Sequence, residues 1–234
     1  EPWDVAVAGD HAYLVAGGGV RVMSLANPAA PVLVGSVDPP GYPTRLAVAG
    51  SHAYVAAYTG GLQVVGISNP SAPVVVGAVD TPGDATGVAV SGNLAYVADR
   101  FGGLQVVDVS DPAAPAIVGS VALPGVATNV AIAGTLAIVV GSRFSVVDVT
   151  NPAAPVLLGS VDPPESSSAV AVDGSYAYVT GNAHIHVIDL SGPNSPVIAS
   201  SIDTPGVVTG PQDIALAGPY AYLASLVTPV PVPI

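Results

Sequence analysis

The chain has 234 residues, of which half are apolar and only 9% are charged, and its formal net charge is −12. Lysine is absent, and the only fixed cations are Arg21, Arg45, Arg100 and Arg143. Because nucleic acid and anionic membrane surfaces both require basic patches, we expect neither as a partner. No apolar run approaches the roughly 18 residues of a membrane span, and the absence of cysteine excludes disulfides and thiol chemistry.

One pattern recurs about every 42 residues and accounts for most of the sequence. Each of its six copies begins with Gly-x-x-Ala-Tyr, as at Gly9–Tyr13, except for a variant at Gly134–Ile138 that ends in isoleucine. A second signature, Asn/Asp-Pro-x-x-Pro, follows in the first four copies, and a looser version lies at Gly192–Pro196. Self-similarity at this period indicates a propeller, a solenoid or another repeat array.

The third copy shows the elements of one repeat in chain order. Turns containing glycine, proline or asparagine separate the short segments Gly87–Ser91, Leu94–Asp99, Leu104–Ser110 and Ala116–Val121, which predicts four strands. With 24 prolines and 27 glycines, the chain has no apolar stripe of helical period. Each repeat is therefore predicted to be a small antiparallel meander of four strands.

The first predicted strand of each repeat indicates how the repeats pack. Its second position is alanine in all six copies, with Val, Leu or Ile as neighbours. Inner strands of propeller blades are buried on both faces and read as apolar runs, and a small residue suits a close approach between sheets. We therefore favour a β-propeller over a β-solenoid, whose coils are usually shorter. The alanines are Ala6, Ala47, Ala89, Ala131, Ala171 and Ala215.

We predict an all-β fold with one β-propeller domain over residues 1–225, containing five complete four-stranded antiparallel blades and a two-stranded sixth. Five blades with an exchanged strand pair would fit the same strand count. The repeats are predicted near residues 1–41, 42–83, 84–125, 126–165, 166–206 and 207–225.

The third strand and the turn after it carry a resemblance to a known family. Leu104–Asp108, Phe144–Asp148 and Ile185–Asp189 resemble the LVIVD repeat. Ser24 and Gly66 replace the motif aspartate in the first two copies, which argues against a catalytic role for it. The resemblance implies a β-propeller on a bacterial or archaeal surface, and it implies no enzymatic residues. We expect the remaining motif aspartates to accept hydrogen bonds from neighbouring turn amides.

The last repeat is predicted to supply only two strands, Asp213–Ala217 and Tyr220–Ser225. The third and fourth strands of its blade are missing, so the blade is predicted to end at an open edge that carries Tyr220, Tyr222 and Leu223. Open edges recruit further strands, and we therefore expect this edge to be a subunit interface.

The Pro/Val tail, residues 226–234, is the candidate for the recruited strand. Its alternating prolines place the missing N–H groups along one side of an extended segment, so the tail can pair only as an outermost strand. It can fold back onto its own sixth blade, or it can complete the blade of a neighbour and so build a filament. A disordered linker is the third interpretation. The predicted interface residues of the tail are Pro229, Val230, Pro231, Val232, Pro233 and Ile234.

Four aspartates follow the fourth strands of their repeats in Asp-x-Pro turns. They could form an acidic ring that binds a cation near one mouth of the channel, although Ala122 breaks the ring at the fifth position. Aspartate before proline is also an ordinary turn choice. The four residues are Asp38, Asp80, Asp162 and Asp203.

Two histidines, His184 and His186, lie on the same face of one predicted strand, a spacing that can hold a transition metal. The sequence shows no third ligand nearby, so no metal site is predicted. The residues at the position of His186 in other repeats indicate an exposed polar position. They are Arg21, Gln63, Gln105 and Ser145.

The sequence contains no nucleophile elbow, P-loop or dinucleotide fingerprint, so we expect neither enzymatic activity nor a cofactor. The predicted function is that of an extracellular structural protein whose partner is itself, in a filament or surface-layer-like homopolymer joined by strand donation. The alternative is a monomeric cell-surface propeller that binds a glycan or a protein at one loop face. A domain of a larger surface protein or enzyme is a third interpretation.

Overall fold

The computed structural model describes residues 2–204 and 212–224. These residues form 22 β-strands, and no helix among them is long and apolar enough to cross a membrane. The strands make five four-stranded antiparallel sheets and one two-stranded sheet, which confirms the predicted β-propeller with five complete blades and a two-stranded sixth. The tail predicted as a donor strand, residues 226–234, lies outside the described residues.

Consecutive strands pair as hairpins within each of the first three blades. The strands of the first blade are β1 (Pro2–Ala8), β2 (His11–Ala16), β3 (Gly19–Ser24) and β4 (Val32–Val37). Those of the second are β5 (Arg45–Ala49), β6 (His52–Ala56), β7 (Leu62–Gly66) and β8 (Val74–Val79). Those of the third are β9 (Gly87–Ser91), β10 (Leu94–Ala98), β11 (Leu104–Asp108) and β12 (Ala116–Val121).

The same order continues through the rest of the chain. The fourth blade contains β13 (Ala127–Ala133), β14 (Leu136–Gly141), β15 (Phe144–Asp148) and β16 (Val156–Val161). The fifth contains β17 (Val170–Asp173), β18 (Tyr176–Thr180), β19 (His184–Asp189) and β20 (Val197–Asp203). The sixth has two described strands, β21 (Asp213–Ala217) and β22 (Tyr220–Ala224).

The core of the molecule is divided among the interfaces between successive blades. We call the side of a blade that faces the next blade its forward face, and the opposite side its backward face. At each interface a forward face packs against a backward face, as where Tyr54 and Val64 of the second blade meet Val88 and Val107 of the third. Five such cores join the six blades in series, and the repeated first-strand alanines of the first five blades pack against them.

A polar contact across the axis links the second blade to the segments that precede the fifth and sixth blades. The Arg45 Nη2 of the second blade donates to the backbone oxygen of Ser168, just before the fifth blade, at 3.0 Å. The same nitrogen donates to the backbone oxygen of Gln212, just before the sixth blade, at 2.9 Å. Within the first two blades, Asp4 Oδ2 accepts a hydrogen bond from the Leu46 amide at 2.8 Å. The starts of these first strands therefore surround one axis.

Turn carboxylates end the third strands of the third, fourth and fifth blades. Asp108 Oδ1 accepts a hydrogen bond from the Ser110 amide at 2.8 Å, and Asp148 and Asp189 make the same contact two residues onward. These contacts confirm the predicted role of the motif aspartates. They also explain why β11 ends at Asp108, whereas the sequence predicted a strand to Ser110: the side chain draws the backbone into a turn.

We expect these carboxylates to make the fold sensitive to acid. Hydrogen bonds to the turn residues lower the pKa of Asp108, Asp148 and Asp189 below the ordinary value of 3.8. Their contribution to the free energy of unfolding is therefore present above about pH 4 and is lost as the pH falls through the lowered values. Burial raises the pKa of Asp99 and Asp4, whose contributions change with pH in the opposite direction.

The measurement is the melting temperature between pH 5 and pH 2.5, roughly spanning the carboxylate titration, for the native chain and for a triple variant. The variant carries Asp108→Asn, Asp148→Asn and Asp189→Asn, and asparagine keeps a side-chain oxygen that can accept the turn hydrogen bond. We expect the melting temperature of the variant to fall less with acid. An equal fall in both proteins would show that these turns do not contribute.

Candidate functional site at the two uncovered blade faces

The forward face of the sixth blade is uncovered in the described part of the chain. Strand β22 pairs only with β21 there, and its side chains Tyr220 and Tyr222 are 65% and 58% exposed. Their rings are arranged edge to face, with centroids 6.5 Å apart. The equivalents of Tyr222 in the first three blades are Tyr13, Tyr54 and Tyr96, which are only 4%, 5% and 4% exposed because the next blade covers them.

The third residue predicted at this edge, Leu223, points the other way. Successive side chains of a strand lie on opposite faces of the sheet. Leu223 therefore packs with Ile214 against the core of the fifth blade, and only the two tyrosines present their rings on the forward face. An interface on this face consequently depends on Tyr220 and Tyr222.

The described residues leave the backward face of the first blade uncovered as well. Val5 and Val7 of β1 are 52% and 64% exposed. The equivalents of Val5 in the second and third blades, Leu46 and Val88, are 6% and 7% exposed because the preceding blade packs on them. The described chain thus carries five interblade cores and two half-interfaces, one at each end of the series.

These two faces are complementary because they are the two kinds of surface that pack together between successive blades. A backward face supplies aliphatic side chains such as Val5, and a forward face supplies a tyrosine such as Tyr222. In four of the five formed cores this combination is packed, with Tyr13 against the blade of Leu46 as one example, and in the core between the fourth and fifth blades Ile138 takes the place of the tyrosine. The forward face of the sixth blade is therefore suited to pack against a surface like the backward face of the first blade.

The four aspartates of the predicted acidic ring lie in their own blades, next to the outermost strand of each. Asp38 pairs with Arg21 at 2.6 Å, Asp162 with Arg143 at 2.8 Å, and Asp203 Oδ1 lies 3.2 Å from His184 Nε2. Because each lies at the end of a fourth strand or directly after it, its neighbour is the third strand of the same blade. Within the described ranges, none of the four, including Asp80, belongs to a cluster of three metal-competent side chains.

The prediction that position 186 is exposed is wrong. His186 is 1% exposed, and its equivalents Gln63, Gln105 and Ser145 are buried too. The turn between the second and third strands folds over these side chains. In the third blade the Gln105 amide is satisfied there, since Nε2 donates to the Gly102 carbonyl at 2.7 Å. A turn carbonyl therefore allows a polar residue to be buried at this position.

The buried His186 has two titratable neighbours, His184 and Glu165. One ligand atom of each of the three residues lies within 4.8 Å of the others. Desolvation raises the pKa of the Glu165 carboxyl, but hydrogen bonds from Ala183, His184 and Asn182 outweigh it, and the pKa is lowered overall. Burial lowers the pKa of the His186 ring.

Sequence reasoning did not identify Glu165, although the sequence holds a signal for it. The residue follows an Asp-Pro-Pro turn at a position where the other repeats carry glycine, and it is one of two glutamates in the chain. The glycines at this position are Gly41, Gly83, Gly125 and Gly206.

An open groove of about 530 Å³ lies between the fourth and fifth blades, at their turns between first and second strands. Ile132 and Leu136 line it from one blade, and Val172 and Ser175 line it from the other. This groove is a second surface on which a ligand could rest.

The family model of the LVIVD repeat matches five segments that together cover most of the chain. They are residues 1–39, 40–81, 82–122, 124–163 and 165–204. No curated protein matches the sequence.

Solved structures similar to this chain include larger proteins. A protein from Lactobacillus plantarum is 19% identical, with a TM-score of 0.80 over 92% of this chain and 74% of its own. The Cps50 (Swd1) β-propeller domain from Myceliophteria thermophila is 14% identical, with a TM-score of 0.73 over 92% and 76%. Sqt1 from Chaetomium thermophilum, bound to the N-terminus of the ribosomal protein L10, is 16% identical, with a TM-score of 0.68 over 91% and 64%.

Proposed function

We propose that this chain, which belongs to the LVIVD repeat family, is a non-enzymatic structural subunit that assembles with copies of itself outside the cell. The observation that supports the proposal is the pair of uncovered faces. Val5 and Tyr222 are both more than half exposed, although their equivalents in other blades are core residues. Neighbouring copies can cover these two faces by repeating the packing that already joins the blades.

Such an interface is heterologous, because it uses a different surface on each partner. The forward face of the sixth blade of one copy meets the backward face of the first blade of the next, so an open assembly keeps one free face at each of its two ends. Heterologous interfaces produce rings if the rotation closes and filaments if it does not. We propose the filament, in which the exposed Tyr220 and Tyr222 of every copy except the last are covered.

The tail supplies a second connection in this proposal. Strand β22 has a free edge within the described residues, and an edge strand is a template for another strand. The alternating prolines of residues 226–234 suit the tail to the outermost place in a sheet. We propose that the tail of one copy extends the sixth blade of its neighbour, as in other examples of β-strand addition.

The extracellular setting rests on the resemblance of the third-strand motif to surface proteins and on the composition. With a net charge of −12 and no lysine, the chain is unsuited to nucleic acid. The same charge opposes assembly at low ionic strength, because copies repel one another over a Debye length of about 10 Å at 0.1 M salt. Assembly is therefore best tested at or above that salt concentration.

The test compares the full chain with a copy that ends at Ser225. We expect negative-stain electron microscopy to show filaments of the full chain and dispersed particles of the truncated chain. Circular dichroism should give a similar β signature for both, because all 22 described strands precede Ser225. Sedimentation velocity supplies the size distribution in solution.

Each other outcome is informative. Dispersed particles from both chains at every salt concentration would contradict self-assembly. Filaments from both chains would contradict strand donation by the tail and would leave the two uncovered faces as the sole connection. A truncated chain without β signature would place the tail within the fold of its own subunit.

The second candidate function is a monomeric surface propeller that binds a glycan or a protein at one loop face. The groove between Ile132 and Val172 favours it, because an open depression between two blades can hold part of a ligand. A peptide-bound propeller such as Sqt1 shows that this fold can bind protein segments. This function predicts that truncation after Ser225 leaves ligand binding unchanged, whereas substitution of the groove residues abolishes it.

A further inference from the structure

Three residues that set the fifth blade apart from the other repeats come together in space. Glu165 stands where other repeats carry glycine, and His184 and His186 occupy the start of the third strand, where the third blade has Gly103 and Gln105. They reach one point because the loop before β17 lies over the turn between β18 and β19. The structure therefore gathers two imidazoles and one carboxylate at the rim of a single blade.

The spacing of the three groups is close to that of metal ligands. Oε1 of Glu165 lies 2.6 Å from Nδ1 of His184, and the two imidazole rings stack with centroids 5.8 Å apart and planes at 24°. The ligand atoms all lie within 4.8 Å of one another. Two ligands on a tetrahedral ion with bonds of about 2.1 Å are roughly 3.4 Å apart, so a small contraction completes the geometry.

One nitrogen of the cluster is buried without a partner among the described residues. His186 is almost fully buried, and its Nε2 makes no hydrogen bond there. A buried polar atom that lacks a partner costs free energy unless a group outside the chain satisfies it. A metal ion bound to Nε2 would supply that partner.

A glycine keeps the space beside this nitrogen free. A Cβ atom on Gly181 would lie 2.6 Å from Glu165 Oε2 and 3.1 Å from His186 Nε2. Only a residue without a side chain therefore fits between the carboxylate and the unpartnered nitrogen. The main chain around Gly181 also holds the carboxylate, because the amides of Asn182 and Ala183 donate to Oε2.

The outer nitrogens of both rings have partners of the kind that orient metal ligands. Nδ1 of His186 lies 2.8 Å from Ser201 Oγ, and Nε2 of His184 lies 3.2 Å from Asp203 Oδ1. Metal-binding histidines usually bond through the second nitrogen to a carboxylate, a carbonyl or a similar group, which holds the ring in place. With Nε2 of His186 and Nδ1 of His184 directed at the ion, both rings have this arrangement.

In the third blade, the region that corresponds to this cluster is a network of hydrogen bonds within the chain. There the buried Asp99 accepts hydrogen bonds from Thr81 Oγ1 at 2.7 Å and from the Gly83 amide at 2.9 Å. Gln105, at the position of His186, donates to the turn carbonyl of Gly102. In the third blade the donor of Gln105 is therefore satisfied within the chain, whereas in the fifth blade the equivalent side chain keeps an unpartnered nitrogen.

From this arrangement we infer that Glu165, His184 and His186 bind one divalent transition-metal ion, of which Zn²⁺ is the first to test. Two imidazole nitrogens and one carboxylate are a zinc donor set, whereas Ca²⁺ and Mg²⁺ prefer sites made of oxygen. The His184 side chain is 35% exposed, so the ion can enter from solvent and keep a coordination position open to water.

The experiment uses the full chain without a histidine tag, stripped with a chelator and titrated with Zn²⁺ by isothermal calorimetry. We expect one ion to bind per chain. His186→Gln, which introduces the residue of the second and third blades, and Glu165→Gln should each lower the affinity by about 100-fold or more, and Ser201→Ala by about 10-fold. Absorption of bound Co²⁺ gives an independent readout of nitrogen and oxygen coordination.

The matched control is His52→Gln, because His52 is the first residue of β6 in the second blade, outside the cluster. It should leave both affinity and stoichiometry unchanged. Absence of saturable binding to the stripped chain would overturn the inference, as would binding that survives His186→Gln or that His52→Gln weakens equally. His184→Gln, a change at a partly exposed residue, must also lower the affinity for Zn²⁺. Circular dichroism verifies that each variant is folded.

Discussion

Replacing Gly119 with alanine is expected to lower the free energy of unfolding by about 3 kcal/mol, whereas Ser200→Ala is expected to change it by less than about 0.5 kcal/mol. The two residues occupy the same place in the fourth strand of their blades. Gly119 pairs with Val106, and Ser200 pairs with the equivalent Val187. The difference lies in what approaches each residue from the next blade.

The approach is made by the proline-containing turn of the following repeat. A Cβ atom on Gly119 would overlap the Pro152 carbonyl oxygen and would lie 3.0 Å from Pro155 Cδ. Gly119 does not adopt a positive φ, so the position requires space rather than left-handed backbone. The same close approach occurs at three other glycines, each against the turn of the next repeat. They are Gly35, Gly77 and Gly159.

The fifth blade does not meet such a turn in the described part of the sixth, and Ser200 is exposed. Its side chain is tolerated because no backbone from a following turn approaches it there. The two alanine variants are compared by urea denaturation at one pH and salt concentration. Equal losses of stability would mean that the glycines are needed for the strand or its bulge rather than for contact between blades.

The blades could be predicted because the same turn signals recur in each repeat and mark where the strands begin and end. In the third blade, β9 and β12 have the predicted bounds, Gly87–Ser91 and Ala116–Val121, since a turn signal at each end limits them. The second and third strands were predicted one or two residues too long. Asp108 directs its side chain into the turn that follows it, and Asp99 directs its side chain into the loop before β9.

The candidate sites were less predictable because they depend on contacts between distant residues. Glu165 and His184 are 19 positions apart, and nothing in the local pattern of either residue indicates their 2.6 Å contact. The burial of His186 was missed for a similar reason: a polar residue beside a strand looks exposed unless the turn that covers it is known. In contrast, the exposure of Tyr220 and Tyr222 among the described residues could be predicted, because the repeat pattern gives their blade only two strands.

The second large effect is expected from a pair of tyrosines at the same position of two repeats. Tyr96→Ala should lower the free energy of unfolding by about 4 kcal/mol, because it removes a ring that the fourth blade covers. Tyr222→Ala should change the stability of a dispersed chain by less than about 0.5 kcal/mol, because more than half of its ring is already in water. The substitution is identical, so the difference reports only what covers the face.

Assembly should respond in the opposite way. If a second copy covers the forward face of the sixth blade, Tyr222 becomes a core residue in the filament, as Tyr96 is within one chain. Tyr222→Ala should then abolish filaments of the full-length chain while its melting temperature as a dispersed subunit stays unchanged. Val5→Ala, on the complementary face of the first blade, should have the same consequence for the same reason.

Electron microscopy and urea denaturation on the same preparations separate the two roles of these side chains. A large loss of stability from Tyr222→Ala in dispersed chains would show that the face is already covered within one subunit, which would remove the surface on which self-assembly depends. Filaments that persist after both Tyr222→Ala and Val5→Ala would show that copies meet elsewhere. A tyrosine that contributes little to the stability of its own chain and much to assembly is what a blade face reserved for a second copy requires.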